Sequence, residues 1–177
     1  MPAKKFIAQL NAQIGREFAA SQQYVAAAVY YDGETLPRLA AFFYEQAKEE
    51  RVHAMMMIRY LLDTNVQPVI PGVDAPKTSF KNFIEPIEVA LKQEQEVGRQ
   101  ISDLVGVARG EKDYLSEQFV QWFLKEQIEE VALMQSVLDV AKRAGDQPLF
   151  IEGYLARESV RGAEDPTAPA AAGESGG

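Results

Sequence analysis

The stretch VQPVIPGVDAPKTSFK, Val66–Lys81, decides the fold. Pro68, Pro71 and Pro76, with Gly72, bar it from a helix interior, because proline lacks the amide hydrogen and its ring clashes with the preceding turn. On both sides the chain reads as long helix. The 16 residues from 66 to 81 extend to about 50 Å at most, and a helix of some 28 residues is about 42 Å long. The segment can therefore climb the full height of a helical bundle and start the next helix at the far end. Long crossovers of this kind occur in four-helix bundles.

Before the crossover, Lys4 to Tyr31 repeats apolar residues at helical spacing (Leu10, Ile14, Phe18, Val25, Ala28) with no proline between them. Asp32-Gly33 is expected to end this helix, glycine taking the left-handed conformation. Thr35-Leu36-Pro37 opens a second helix running to about Asn65, with Phe43, Ala47, Glu50, His53, Ala54, Met57 and Leu61 inward. So short a link makes the two helices antiparallel neighbours. Met55-Met56-Met57 point three ways on a helix and read as core filler and contact surface.

After the crossover a third helix runs from about Asn82, as its cap, to Arg109, with Ile87, Leu91, Glu94, Gly98, Ile101 and Val105 inward. Pro86 can shift its true start by a few residues. Asp113 caps a fourth helix that continues to about Ala144 and turns Phe119, Phe123, Gln127, Glu130, Met134, Val137 and Ala141 inward. Leu149-Phe150-Ile151 with Tyr154-Leu155 reads as a short fifth helix that must dock to be stable. The expectation is an all-α four-helix bundle over residues 1–160. From Arg161 onward Gly, Ala, Pro, Ser and acidic residues predominate, which predicts a disordered tail over 161–177.

Composition narrows the function. A chain of 177 residues that is 47% apolar can bury one sizeable core. A net charge of −8 and a pI near 4.8 argue against nucleic acid and anionic membranes, while concentrating cations. With no cysteine there is no disulfide, thiolate metal site or iron–sulfur cluster. The N-terminus lacks the apolar run of a signal peptide and no stretch is apolar enough to span a bilayer, so a cytoplasmic protein is expected.

The second helix holds the only histidine, in Glu49-Glu50-Arg51-Val52-His53. Glu50 and His53, three apart, share one helix face, a pair suited to iron, manganese or zinc. Glu17 lies on the inward stripe of the first helix, where a carboxylate is costly unless paired. Tyr24 brings a phenol to the same stripe, either as an ordinary buried tyrosine or as a partner of the acidic groups. Glu17 and Glu50 are 33 positions apart, as are Glu94 and Gln127. Adding 77 to Glu17, Glu49, Glu50 and His53 gives Glu94, Glu126, Gln127 and Glu130. Two hairpins thus set polar residues at matching heights, a pseudo-twofold site for two metal ions. No Lys or Arg lies on these stripes, so cations are needed to neutralise the carboxylates.

Over residues 4 to 158 these helices and ligand spacings resemble the bacterial non-haem ferritins, members of the ferritin-like diiron family. The resemblance implies Glu17, Glu50 and His53 on one iron, with Glu50 bridging to a second held by Glu94 and Glu130. Gln127 is implied nearby, as a weak ligand or hydrogen-bond partner. Glu49, Glu126 and Glu129, sharing Glu130, match a third iron site, and Tyr24 and Trp122 match aromatic residues beside the centre. The implied activity is a ferroxidase that joins Fe(II) with O₂ and stores ferric mineral in a hollow shell of 24 identical subunits. Weak ligation at Gln127 would make the second iron the more easily released.

Departures sharpen the reading. Bacterioferritins repeat Glu-x-x-His on the fourth helix, where this chain has Gln127-x-x-Glu130, and place a haem methionine where it has Arg51, so no haem is expected. Two other functions fit the same helices: a diiron oxygenase, which needs an apolar channel and a reductase, and a structural bundle whose polar stripe is a satisfied core network.

Overall fold

The computed structural model describes residues 1–157 and 165–173 of the chain. Among them are five helices and no strand: α1 (Lys4–Gly33), α2 (Pro37–Asp63), α3 (Glu85–Gly110), α4 (Tyr114–Ala144) and α5 (Pro148–Arg157). The links 34–36 and 111–113 are too short for anything but antiparallel pairs, and α1 packs chiefly on α2 and α3 on α4. The left-handed residue that turns α1 into α2 is Thr35, at φ 61°, and not the expected Gly33. Asp113 caps α4 as expected, accepting from the Ser116 amide at 3.2 Å, and also accepts the Ala3 amide at 2.8 Å, which ties down the N-terminus.

The crossover climbs α1 from its start to its end. Asn11 Oδ1 accepts the Val69 amide at 2.7 Å, and the Gln23 side chain brackets Lys77, donating to its carbonyl and accepting from its amide, both at 2.9 Å. Tyr31 donates its hydroxyl to the Phe83 carbonyl at 2.7 Å. Between the first two anchors Pro71 sits on Gly15, where a β-carbon would lie 2.6 Å from the proline ring. These anchors span 20 residues of α1, about 30 Å of helix. The loop therefore delivers α3 to the opposite end from where α2 stopped, so α2 and α3 run parallel.

α5 is only 10 residues long; Ile151 docks it into the core and one acid pins it to α2. Glu152 accepts the amides of Arg38 and Leu39, at 2.9 and 2.8 Å, and so satisfies two of the free N–H groups at the start of α2.

The inward stripes match expectation with one exception: Val25 is 38% exposed, lining a surface groove with Tyr44, Lys48 and Arg51. Met56 and Met57 are buried, as core filler should be. The apolar core falls into two clusters, one around Tyr24, Tyr31, Phe43, Ile87 and Met134, the other around Phe6, Leu10, Met57, Ile101 and Phe123. Each long helix passes from one cluster to the other, and at each crossing a polar residue replaces the apolar repeat. Glu17 follows Ile14, Glu50 lies between Ala47 and Ala54, and Glu94 between Leu91 and Val97. Gln127 and Glu130 fall between Phe123 and Met134. The fold has a polar layer at mid-height.

The tail departs from expectation. Residues 165–173 are not free of the bundle: Ala171 is buried, and the Ala172 amide donates to the Met55 carbonyl of α2 at 3.0 Å. Asp165 accepts the indole N–H of Trp122 at 3.3 Å and Lys125 Nζ at 3.0 Å, both on α4. The tail thus lies across the side where α2 and α4 face each other, a pair that meets less closely than α1 and α3. Composition argued for disorder because few apolar residues are present, but Ala171 is small enough to be buried against the bundle. The rest of the expected disordered stretch, 161–164 and 174–177, lies outside the described residues.

Candidate metal centre

Five residues of the polar layer, Glu17, Glu50, Glu94, Gln127 and Glu130, are each no more than 7% exposed, and so is His53. Glu17, Glu50 and His53 each offer one ligand atom, and these atoms lie within 4.8 Å of one another. His53 Nδ1 is 3.7 Å from Glu50 Oε2. On the other half, Tyr24 donates its hydroxyl to Glu94 Oε1 in a short hydrogen bond, and Gln127 Nε2 donates to Glu94 Oε2 at 2.6 Å and to the Glu94 carbonyl at 2.9 Å. Gln127 is therefore a hydrogen-bond partner of Glu94. It lies close to α3 because position 98 is glycine, where a β-carbon would stand 3.1 Å from Gln127 Cγ. Tyr24, left open in the sequence, is wired into the cluster.

The electrostatics join the halves. Burial raises the Glu17 carboxyl well above the usual range, and the neighbouring Glu50 charge raises it further. Glu50 is raised by burial and then by Glu94 and Glu130. Burial raises Glu94 too, against the pull of its two donors, Tyr24 and Gln127. Glu130 is pushed up to about 7 by burial and by Glu94. Burial and the same acids raise the Tyr24 phenol. Glu17 Oε2, Glu50 Oε2 and Glu130 Oε2 are buried with no hydrogen-bond donor. Among the described residues no Lys or Arg pairs with these acids, and a buried carboxylate without a cation is strongly disfavoured. The donor set of hard oxygens and one imidazole fits iron.

The expected third group is looser. Glu49 and Glu126 are half-buried and Glu129 is exposed. Burial raises the Glu126 carboxyl, as does the charge of Glu129, and both acids also act on Glu130. Among the described residues, only Glu17, Glu50 and His53 form a group of close ligand atoms. Gln46, which the sequence reading passed over, is buried and donates to Glu49 Oε2 at 2.5 Å.

Trp122 meets His53 edge-on, with ring centroids 5.8 Å apart, and Phe123 does so at 5.7 Å, so aromatic walls fix the imidazole plane. Trp122 is the one tryptophan in the chain and donates its N–H to Asp165 in the tail. Deleting residues 165–177 should therefore red-shift its fluorescence and raise acrylamide quenching. An unchanged spectrum would mean that the tail does not cover it.

Fold and site together define a four-helix bundle with a buried acidic centre at its waist that could hold a metal ion. A ferritin-like domain model matches residues 7–144. The chain is 53% identical over 169 residues to ferritin BfrB of Mycolicibacterium smegmatis, covering 96% of this chain and 93% of that one. It is 38% identical over 146 residues to the bacterial non-heme ferritin of Staphylococcus aureus, covering 82% and 88%. Among solved structures, an open pore ferritin from Archaeoglobus fulgidus superposes with a TM-score of 0.84 at 26% identity, over 89% of this chain and 99% of that one. The chain belongs to the ferritin family.

Proposed function

We propose that this ferritin oxidises Fe(II) with O₂ at a two-iron centre within each subunit and stores the ferric oxyhydroxide product inside a closed shell of copies of itself. The observation that carries this reading is the set of three buried carboxylate oxygens, on Glu17, Glu50 and Glu130, with no donor of their own. Iron enters as substrate. Glu17, Glu50 and His53 would hold one Fe(II), and Glu50, Glu94 and Glu130 the other, each giving up one electron to O₂.

The chain's own groups have distinct tasks. Tyr24 and Gln127 donate to Glu94 and fix its carboxyl, while His53 is braced by Trp122 and Phe123. Protons held by the raised carboxyls leave as cations enter. Glu49, Glu126 and Glu129, with Glu130 shared, would hold a third iron nearby. Haem is not part of the proposal, since Arg51 stands where a thioether would be needed.

Residues 1–160 act as the ferritin-like domain, and the family resemblance makes the shell one of 24 subunits. Among the described residues no helix is long and apolar enough to cross a membrane. Because Fe(II) persists in a reducing compartment, we place the protein in the cytoplasm.

Aerobic addition of Fe(II) tests the reading. Oxidation should saturate with iron concentration, and ferric iron should elute with a large particle on gel filtration. Iron that precipitates as it does without protein would refute storage, and elution as a monomer or dimer would refute the shell.

A further inference from the structure

Glu17 is held differently from Glu94. Its Oε1 accepts Gln13 Nε2 at 2.8 Å, while its Oε2 is buried with no donor. Gln13 lies one turn earlier on α1 and is 0% exposed. Its own Oε1 accepts Arg16 Nη1 at 3.0 Å, from an arginine at the bundle surface. A guanidinium only donates, so Arg16 settles which way the Gln13 amide faces: oxygen to Arg16, NH₂ to Glu17. Turned over, the amide would set its oxygen against Glu17 Oε1 and its NH₂ against the Arg16 guanidinium.

A buried amide is costly unless both ends are satisfied, and an apolar side chain would fill the same space at no such cost. The second hairpin confirms that bundle packing does not demand a glutamine here. Glu94 corresponds to Glu17 by the offset of 77, and one turn before it stands Ala90. Glu94 takes its donors from Tyr24 and Gln127 instead. The two halves of the centre are thus braced by unrelated groups and can be disturbed one at a time.

We propose that Gln13 is a positioning residue for the half of the centre formed by Glu17, Glu50 and His53. It occupies Oε1 of Glu17 and presents Oε2 alone to the cation, and Arg16 sets the polarity of that contact. The proposal rests on the reading of Glu17 as an iron ligand. Losing a hydrogen-bond partner of a metal ligand typically lowers metal affinity by about 10- to 100-fold.

The test is a Co(II) titration of the metal-free, full-length protein, followed by visible absorption. Native protein is compared with Gln13→Leu, Arg16→Met, Glu17→Ala and the double variant Gln13→Leu/Glu17→Ala. Gln13→Leu should weaken one class of Co(II) site by about 10- to 100-fold, change its absorption bands and leave the other class as it was. Arg16→Met, a change made at a surface residue, should weaken the same class by a smaller factor. In the Glu17→Ala background, Gln13→Leu should change nothing further, because the carboxyl it holds is gone. Native-like affinity in Gln13→Leu or Arg16→Met overturns the proposal. So does a loss that persists undiminished without Glu17, which would make Gln13 a packing residue. If the native protein itself takes up no saturable Co(II), the metal centre fails and the role of Gln13 with it. Should Gln13→Leu not assemble, Arg16→Met decides.

Discussion

Glu50→Ala is expected to slow aerobic Fe(II) oxidation by on the order of 100-fold or more, leaving the size of the assembled particle unchanged. The estimate starts from the roughly 100-fold that loss of a ligand's outer partner can cost, and Glu50 is a proposed ligand itself. Its position makes it the most damaging single loss. Glu50 lies in the group with Glu17 and His53, and its carboxyl also feels Glu94 and Glu130 from the other half. In the proposed centre it is the side chain that would serve both irons. Folding should survive, because the substitution removes a buried charge along with the side chain, and Glu50→Gln keeps the volume as a control. Stopped-flow absorbance at increasing Fe(II), with light scattering on the same samples, measures both quantities. Oxidation at the native rate in either variant would remove Glu50 from the centre and take the two-iron reading with it.

The second large effect is on stability against pH. Glu130 is pushed up to about 7 from the ordinary 4.5, by burial and then by Glu94, and burial also raises Glu17, Glu50 and Glu94. With a raised carboxyl, the folded state holds a proton that the unfolded chain has released. Between about pH 4.5 and 7 the folded protein therefore binds more protons, and stability falls as pH rises through that window. Above it the Glu130 contribution alone is about 3 kcal/mol per subunit. That corresponds to a Tm lower by about 6–12 °C.

The expected result is that metal-free protein, kept in chelator, melts at lower temperature at pH 7.5 than at pH 5. Saturating Co(II) at pH 7.5 should restore the loss, since a cation then does what the proton did. Glu130→Gln should flatten the slope and raise the metal-free Tm at pH 7.5. A slope equal to the native one in Glu130→Gln would show that the charge is relieved in some other way. The expected fall in Tm would mean that the centre is held at the expense of the empty fold.

Much of this was open to reading in the chain itself. Prolines at 68, 71 and 76 announced the crossover, and the offset of 77 placed Glu17, Glu50, His53, Glu94, Gln127 and Glu130 at one height. Both signals are periodic, and periodicity survives without knowledge of neighbours. What could not be read depends on partners distant in sequence. Gln13 looks like ordinary helix filler until Glu17 and Arg16 are seen on either side of its amide. Gly98 looks like a weak point in α3 until Gln127 is seen against it. Val25 kept the apolar period yet faces a groove, because the buried stripe of α1 runs there through Tyr24, Ala27, Ala28 and Tyr31. The tail was misjudged for the same reason: its composition is poor, but Asp165 meets Trp122 and Lys125 some 40 residues away.

Glu17, Glu50 and His53, whose ligand atoms lie within 4.8 Å of one another, are contributed wholly by α1 and α2, which end at Asp63. Synthesis proceeds from the N-terminus, so these three residues are added to the chain before Glu94. The centre is written into the chain in two instalments. A hairpin bearing Glu17, Glu50 and His53 together comes first, and the second pair of helices closes over it.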